Sequence, residues 1–221
     1  MRSGIIKLWG KMHSERIIIA PACVSEGALW LAKSEPRFAK ALKLTGDLPL
    51  RRRPDGFAQL LSAIVSQQVS VAAASAIWGR LRDARLTAPR KIQWASDEAL
   101  RAAGLSRQKI RYARALAEAR INFAALRDAP SDAVIATLTE VPGIGVWTAE
   151  IYAMFSLGRA DVFAPGDLAL QEAARTLFEL PERPSERALR QMAEDWSPWR
   201  AVAARLLWSY YKFAKQREGI R

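Results

Sequence analysis

The chain is predicted to fold as an all-α protein. Apolar residues recur at helical spacing in nearly every segment long enough to test, and almost nothing alternates apolar and polar as a half-buried strand would. Its 221 residues, 50% of them hydrophobic, suffice for one large or two small globular lobes. No repeat of fixed period and no low-complexity tract interrupts the pattern.

Residues 1–24 carry the weakest signal. Short apolar pieces broken by Lys7, Lys11 and Arg16 make no continuous signal-peptide core, and Ile17 to Val24 is too short to span a membrane, so a cytoplasmic protein is expected. Arg16 to Ala20 reads as a short strand or an extended strap. From Glu26 to Leu42, the residues Leu29, Leu31, Phe38, Ala41 and Leu42, interrupted at Pro36, predict one or two short helices. Lys43 to Pro54 is a loop by its Gly46, Pro49 and Pro54; its Arg51, Arg52 and Arg53 are either phosphate contacts or a solvated charge run. Residues 1–50 are thus expected as a partly helical segment packing on a core of residues 51–221.

Within that core, residues 56–83 carry the clearest helical stripe: Phe57, Leu60, Leu61, Ile64, Val71, Ile77, Trp78 and Leu81. Gln67 and Gln68 stand where the stripe calls for apolar residues, so each is a core amide satisfied by backbone or a side chain turned toward a cleft. Helices follow near Ser96–Gly104 and from Arg107 to Ile121, the second with a basic face of Arg107, Lys109, Arg111, Arg114 and Arg120. Leu126 to Pro130 reads as a break, and Ser131 as the cap of a helix from Asp132 to Thr139.

Pro142-Gly143-Ile144-Gly145 then forms a turn whose glycines permit positive φ and leave backbone amides uncovered. It opens directly onto a helix, Val146 to Leu157, with Trp147, Ile151, Met154 and Phe155 on one stripe, and such a helix start favours a phosphate. A second loop, Ala164-Pro165-Gly166, delivers Asp167 to the next helix, where local sequence alone makes it an N-cap. That helix buries Leu170, Ala173, Ala174, Leu177 and Phe178. After the break at Pro181–Pro184 come a helix near Glu186–Glu194 and a last one from Pro198 to Gln216. Its stripe is Trp199, Val202, Ala203, Leu206, Tyr210 and Phe213; Trp208 falls on the opposite side and needs a base-stacking pocket or a further helix to cover it.

The charge balance, 34 Lys+Arg against 22 Asp+Glu for a formal +12, favours a polyanionic partner. Cys23 is the one cysteine and His13 the one histidine, which excludes an intrachain disulfide, a four-cysteine zinc or iron–sulfur site and a Ser-His-Asp triad resting on a folded-core histidine. Any catalysis must rest on carboxylates or lysines.

Residues 138–149, LTEVPGIGVWTA, resemble the helix-hairpin-helix of the base-excision DNA glycosylases, and Asp161 to Asp167, DVFAPGD, resembles their Gly/Pro-rich loop ending in the catalytic aspartate. Within that HhH-GPD superfamily the resemblance is to the alkylated-base branch, DNA-3-methyladenine glycosylase II, and it runs from about Phe57 to Tyr211. It implies two helical lobes with a cleft between them, the hairpin at 138–157 and the aspartate loop at 161–167. The implied activity is monofunctional hydrolysis of the N-glycosidic bond of alkylated bases in duplex DNA, with base flipping and an abasic product. Asp167 would be catalytic and Asp161 a loop-fixing residue. Trp147, Trp208 and Gln67 would line the base pocket, although Trp147 reads equally as a core residue of its own stripe.

Gly143, Ile144, Gly145, Val146 and Thr148 would contact DNA, with Gln68 as the wedge that fills the vacated stack. The carbonyls of Thr139, Val141 and Ile144 would hold a Na+ or K+; no other cofactor is implied. Where the bifunctional lyases carry a Schiff-base lysine this chain has Trp147, so no lyase step is expected. A monomer acting on damaged double-stranded DNA in a bacterial-type, nucleoid-associated setting follows from the same resemblance. Two other functions stay open: a non-catalytic DNA-binding module, and a glycosylase for another lesion class.

Overall fold

A computed structural model describes residues 15–218, with side chains through Gln216. His13 and the rest of residues 1–14 lie outside the described residues. The helices are α1 (Pro21–Ser34), α2 (Pro36–Thr45), α3 (Phe57–Ser66), α4 (Val71–Asp83), α5 (Pro89–Trp94), α6 (Asp97–Ala102), α7 (Arg107–Glu118), α8 (Phe123–Asp128), α9 (Ser131–Thr139), α10 (Val146–Tyr152), α11 (Leu168–Leu177), α12 (Glu186–Met192) and α13 (Arg200–Glu218). A π-helical turn, Ala153–Leu157, extends α10, and a 3₁₀ turn, Ala193–Trp196, extends α12. Among the described residues the only β pairing is an isolated antiparallel bridge between Ile17 and Arg159, so residues 15–20 form an extended strap.

The helices form two lobes. α1, α2, α11 and α13 pack together from the two ends of the chain, while α3 to α7 and the α9–α10 hairpin make up the central lobe. Phe38, Phe178, Phe163 and Trp196 pack ring against ring in the first lobe. Leu60, Leu61, Ile64, Leu81, Leu100 and Leu116 fill the second. Such fully buried aliphatic side chains contribute about 2 kcal/mol each by loss of water contact.

Several expected boundaries move. The stripe over 56–83 is not one helix: α3 ends at Ser66, and α4 restarts with the Ser70 hydroxyl accepting from the Ala73 amide at 3.2 Å. Apolar residues recur at helical spacing on both sides of the four-residue interruption and neither glycine nor proline marks it, which is why periodicity alone misses it. Val71 consequently leaves the core and is 88% exposed. The expected break at 126–130 is helical up to Asp128, because Asn122 caps α8 through its side chain to Ala125. Ser131 is not the cap of α9. Its hydroxyl bonds the Glu15 carboxylate, which also accepts the Ser131 amide at 2.8 Å, so the strap supplies that cap from 116 residues away.

Candidate active site

Asp167 stands where the two lobes meet. It is the N-cap of α11 because Pro165 and Gly166 end the preceding loop, and its Oδ1 accepts the Ala169 and Leu170 amides at 2.9 and 3.1 Å. Two indoles complete its environment. Trp208 Nε1, from α13, donates to Oδ1 at 3.2 Å, and Trp147 Nε1, from α10 across the cleft, donates to Oδ2 at 3.0 Å. An ionised carboxylate accepts only, and all four of these groups donate. The N-cap bonds engage Oδ1 alone and leave Oδ2 to the Trp147 indole.

Trp147 leaves the stripe that sequence gave it: Met154 and Phe155 are buried, but Trp147 is 47% exposed. With Leu60, Ile151, Tyr152, Ser156 and Arg53 it lines a cavity of about 300 Å³ between α3 and α10. The Ser156 hydroxyl in its wall is buried without a hydrogen-bond partner. Phe155 and Trp208 pack against each other nearby, their ring centroids 5.8 Å apart. Behind these rings stands positive charge: Arg205, fully buried, lies 4.7 Å over Phe155, and Arg51 lies 5.7 Å over Trp208. Burial and the neighbouring Arg51 and Arg52 bring Arg205 down to about 10, and its guanidinium is satisfied by the Leu50 and Ala201 carbonyls. Neither Arg205 nor Arg159 drew notice in the sequence, since an arginine on a helix face or in a loop is usually solvated.

Gln67 and Gln68 diverge. Gln67 Nε2 donates to the Gly143 carbonyl at 2.9 Å, tying the end of α3 to the hairpin turn, while Gln68 is exposed with φ +55°. The hairpin turn carries Gly143 at φ +93° and Gly145 at φ −87° as the N-cap of α10, with no side chain covering that helix start. Ile144 and Thr148 are buried and Val146 is exposed. The Val141 carbonyl accepts the Ile144 amide at 3.0 Å, which leaves it one lone pair for a cation; Thr139 turns its hydroxyl back onto Ile135 and Ala136.

The two glycines differ in what they tolerate. A Cβ on Gly143 would lie 2.3 Å from Tyr112 Cγ, whereas one on Gly145 meets nothing within 4 Å. Gly143→Ala is expected to cost about 2 kcal/mol or more through positive φ and overpacking. Gly145→Ala should stay within about 0.5 kcal/mol of wild type in the same urea unfolding series.

Second-layer carboxylates hold this frame. Asp161 receives both Arg200 donors and the Ser197 hydroxyl, all at 2.8 Å, which fixes the loop leading to Asp167. Glu150, buried one turn after Trp147, meets Arg190 of α12 across the lobes at 3.0 Å. Burial pushes the Glu150 carboxyl up to about 7 against the pull of Arg190.

Residues 61–198 match the family model described as HhH-GPD superfamily base excision DNA repair protein. The chain is 29% identical to DNA-3-methyladenine glycosylase 1 of Schizosaccharomyces pombe, over 90% of this chain and 92% of that one. Among solved structures it is similar to a DNA-3-methyladenine glycosidase from Bacillus halodurans, with TM-score 0.78 and 36% identity over 91% of this chain and 94% of that one. It is also similar to the S. pombe 3-methyladenine DNA glycosylase in complex with abasic DNA, with TM-score 0.71 and 29% identity over 83% and 95% of the two chains.

Proposed function

The chain belongs to the HhH-GPD superfamily of base excision DNA repair proteins, and from that membership and its cleft we propose that it is a monofunctional DNA glycosylase. It hydrolyses the N-glycosidic bond of alkylated bases of the 3-methyladenine type in duplex DNA and leaves an abasic site. One observation carries this reading: a carboxylate gripped by Trp147 and Trp208, one indole from each lobe, beside a cavity of about 300 Å³ that Trp147 lines.

The bond to be broken lies inside the duplex, so the nucleotide must first leave the stack, at a cost of a few kcal/mol that damaged pairs reduce. Gln68, exposed on a left-handed backbone, enters the gap as the wedge in this reading. The open amides at Gly145 and the start of α10, with Gly143 beneath, anchor a backbone phosphate. A Na+ or K+ on the Thr139, Val141 and Ile144 carbonyls would add positive charge at that anchor.

The extruded base enters beside Trp147, Gln67 and Trp208, where ring faces stack on it. As the bond stretches, positive charge develops on the sugar. Asp167, already oriented by four hydrogen bonds, supplies the opposite charge without reorganising and directs a water to C1′. An N-alkylated base departs as a neutral molecule, so little acid catalysis is needed. Trp147 occupies the hairpin-helix position at which a lyase would hold its amine, so the sugar–phosphate backbone stays intact. The working form is a monomer on DNA in the cytoplasm; among the described residues no helix is long and apolar enough to cross a membrane.

The test is incubation with methylated duplex DNA followed by gels run before and after hot alkali, with borohydride present in a parallel reaction. Strands that stay whole until alkali treatment, and no borohydride-trapped protein, are expected. Nicking without alkali, or a trapped covalent adduct, would contradict a monofunctional enzyme.

A further inference from the structure

Lys109 is a lysine in an unusual place. It sits on α7, is 9% exposed, and donates from Nζ to the Val65 carbonyl at 2.6 Å; among the described residues no carboxylate pairs with it. Burial alone holds its pKa below the usual lysine range. Because the folded-state pKa is the lowered one, the charge costs folding stability at neutral pH, and an apolar side chain of similar length would avoid that cost.

What the ammonium touches explains its presence. Val65 is in the last turn of α3, whose carbonyl end carries partial negative charge that a cation satisfies. Two residues later the chain enters the Gln67–Ser70 loop. The same helix α7 holds the other side of the cleft mouth: Tyr112 presents its ring to Gly143, and Gln108 Nε2 fixes the Tyr112 hydroxyl at 2.6 Å. Gln67 closes the circuit onto the Gly143 carbonyl. One helix thus clamps both the loop that carries Gln68 and the hairpin turn, around an open groove lined by Gln67, Gln68, Lys109, Tyr112, Gly143 and Gly145.

We propose that Lys109 is a positioning residue: by capping the carboxyl end of α3 it fixes the Gln67–Ser70 loop against the hairpin, so that Gln68 meets the duplex in one set geometry. This inference rests on the glycosylase reading with Gln68 as the wedge. It predicts a defect in extrusion and none in the chemistry that follows.

The experiment measures single-turnover base release from a duplex holding one 7-methylguanine, opposite either cytosine or a tetrahydrofuran abasic analogue. Wild type, Lys109→Met, Lys109→Arg and Gln68→Ala are compared. A paired base needs its gap filled, whereas an unpaired one leaves the stack at little cost. Lys109→Met should lose about tenfold on the paired lesion and under about threefold on the unpaired one, the imbalance also seen with Gln68→Ala. Its thermal midpoint should lie within about 4 °C of wild type. Lys109→Arg, which keeps a charged donor, should keep the wild-type ratio.

Equal losses on both duplexes, while Gln68→Ala shows the imbalance, would overturn the role of Lys109. A Lys109→Met protein that fails to fold would overturn it too, since the lysine would then be held for stability. A wild-type protein that releases base from neither duplex would instead overturn the glycosylase reading, and this inference with it.

Discussion

Asp167→Asn is expected to slow base release by on the order of 10²–10³-fold, the loss typical when a preorganised electrostatic group is removed from a site where charge develops. DNA affinity should change by less than about threefold, because the proposed phosphate anchor and wedge are elsewhere. The substitution separates the proposed catalytic role of this side chain from its N-cap role. Asparagine is as good an N-cap as aspartate, and its oxygen can still accept the Ala169 and Leu170 amides, so α11 should keep its start. Its amide nitrogen, however, cannot accept from the Trp147 indole that now donates to Oδ2. Were Asp167 only a cap, the variant would keep the wild-type rate. Single-turnover kinetics beside a binding titration and a thermal melt distinguish these cases.

The largest expected loss of stability lies away from the cleft. Arg159, 5% exposed, donates through Nη2 to the Arg127 and Ala129 carbonyls at 2.9 and 2.6 Å and lies 3.4 Å from Glu15. It gathers the end of α8, the strap and, through the Ile17 bridge, the segment leaving the π-helical turn. Arg159→Ala should cost about 3 kcal/mol or more, because it removes the donor shared by the Leu126, Arg127 and Ala129 carbonyls, opens a cavity and frees the Glu15 carboxylate that caps α9. For a chain of this size that is a fall of roughly 10 °C in thermal midpoint. A loss under about 1 kcal/mol would show that water satisfies those carbonyls after the side chain is gone.

How much of this was legible in the sequence depends on the range of the interaction. The long amphipathic helices announced themselves because Phe57, Leu60, Leu61 and Ile64, or Ile110, Ala113, Leu116 and Ala117, repeat at the helical period. The hairpin turn and the Asp167 loop were visible because glycine and proline punctuate the chain where backbone conformation is special. Six-residue helices such as α5 and α8 are too short for a stripe to emerge. The interruption at Gln67–Ser70 hid because it contains neither glycine nor proline to mark it. Contacts between distant residues left no local trace: the Glu15 cap on Ser131, the Lys109 bond to Val65 and the Arg205 bonds to Leu50 all join segments whose sequences look ordinary. Trp147 is the instructive intermediate. Its position on an apolar stripe was compatible with core or pocket, and the outcome depended on a carboxylate 20 residues further on.

The most direct test of the central claim is to identify what leaves the DNA. Duplex DNA treated with a methylating agent is incubated with the wild-type protein and with Asp167→Asn, and the small-molecule fraction is analysed by liquid chromatography and mass spectrometry. Free 3-methyladenine from the wild type, with the Asp167→Asn yield near the uncatalysed background, is the expected result. No methylated base in the wild-type fraction, or equal yields from both proteins, would contradict a glycosylase whose chemistry rests on Asp167.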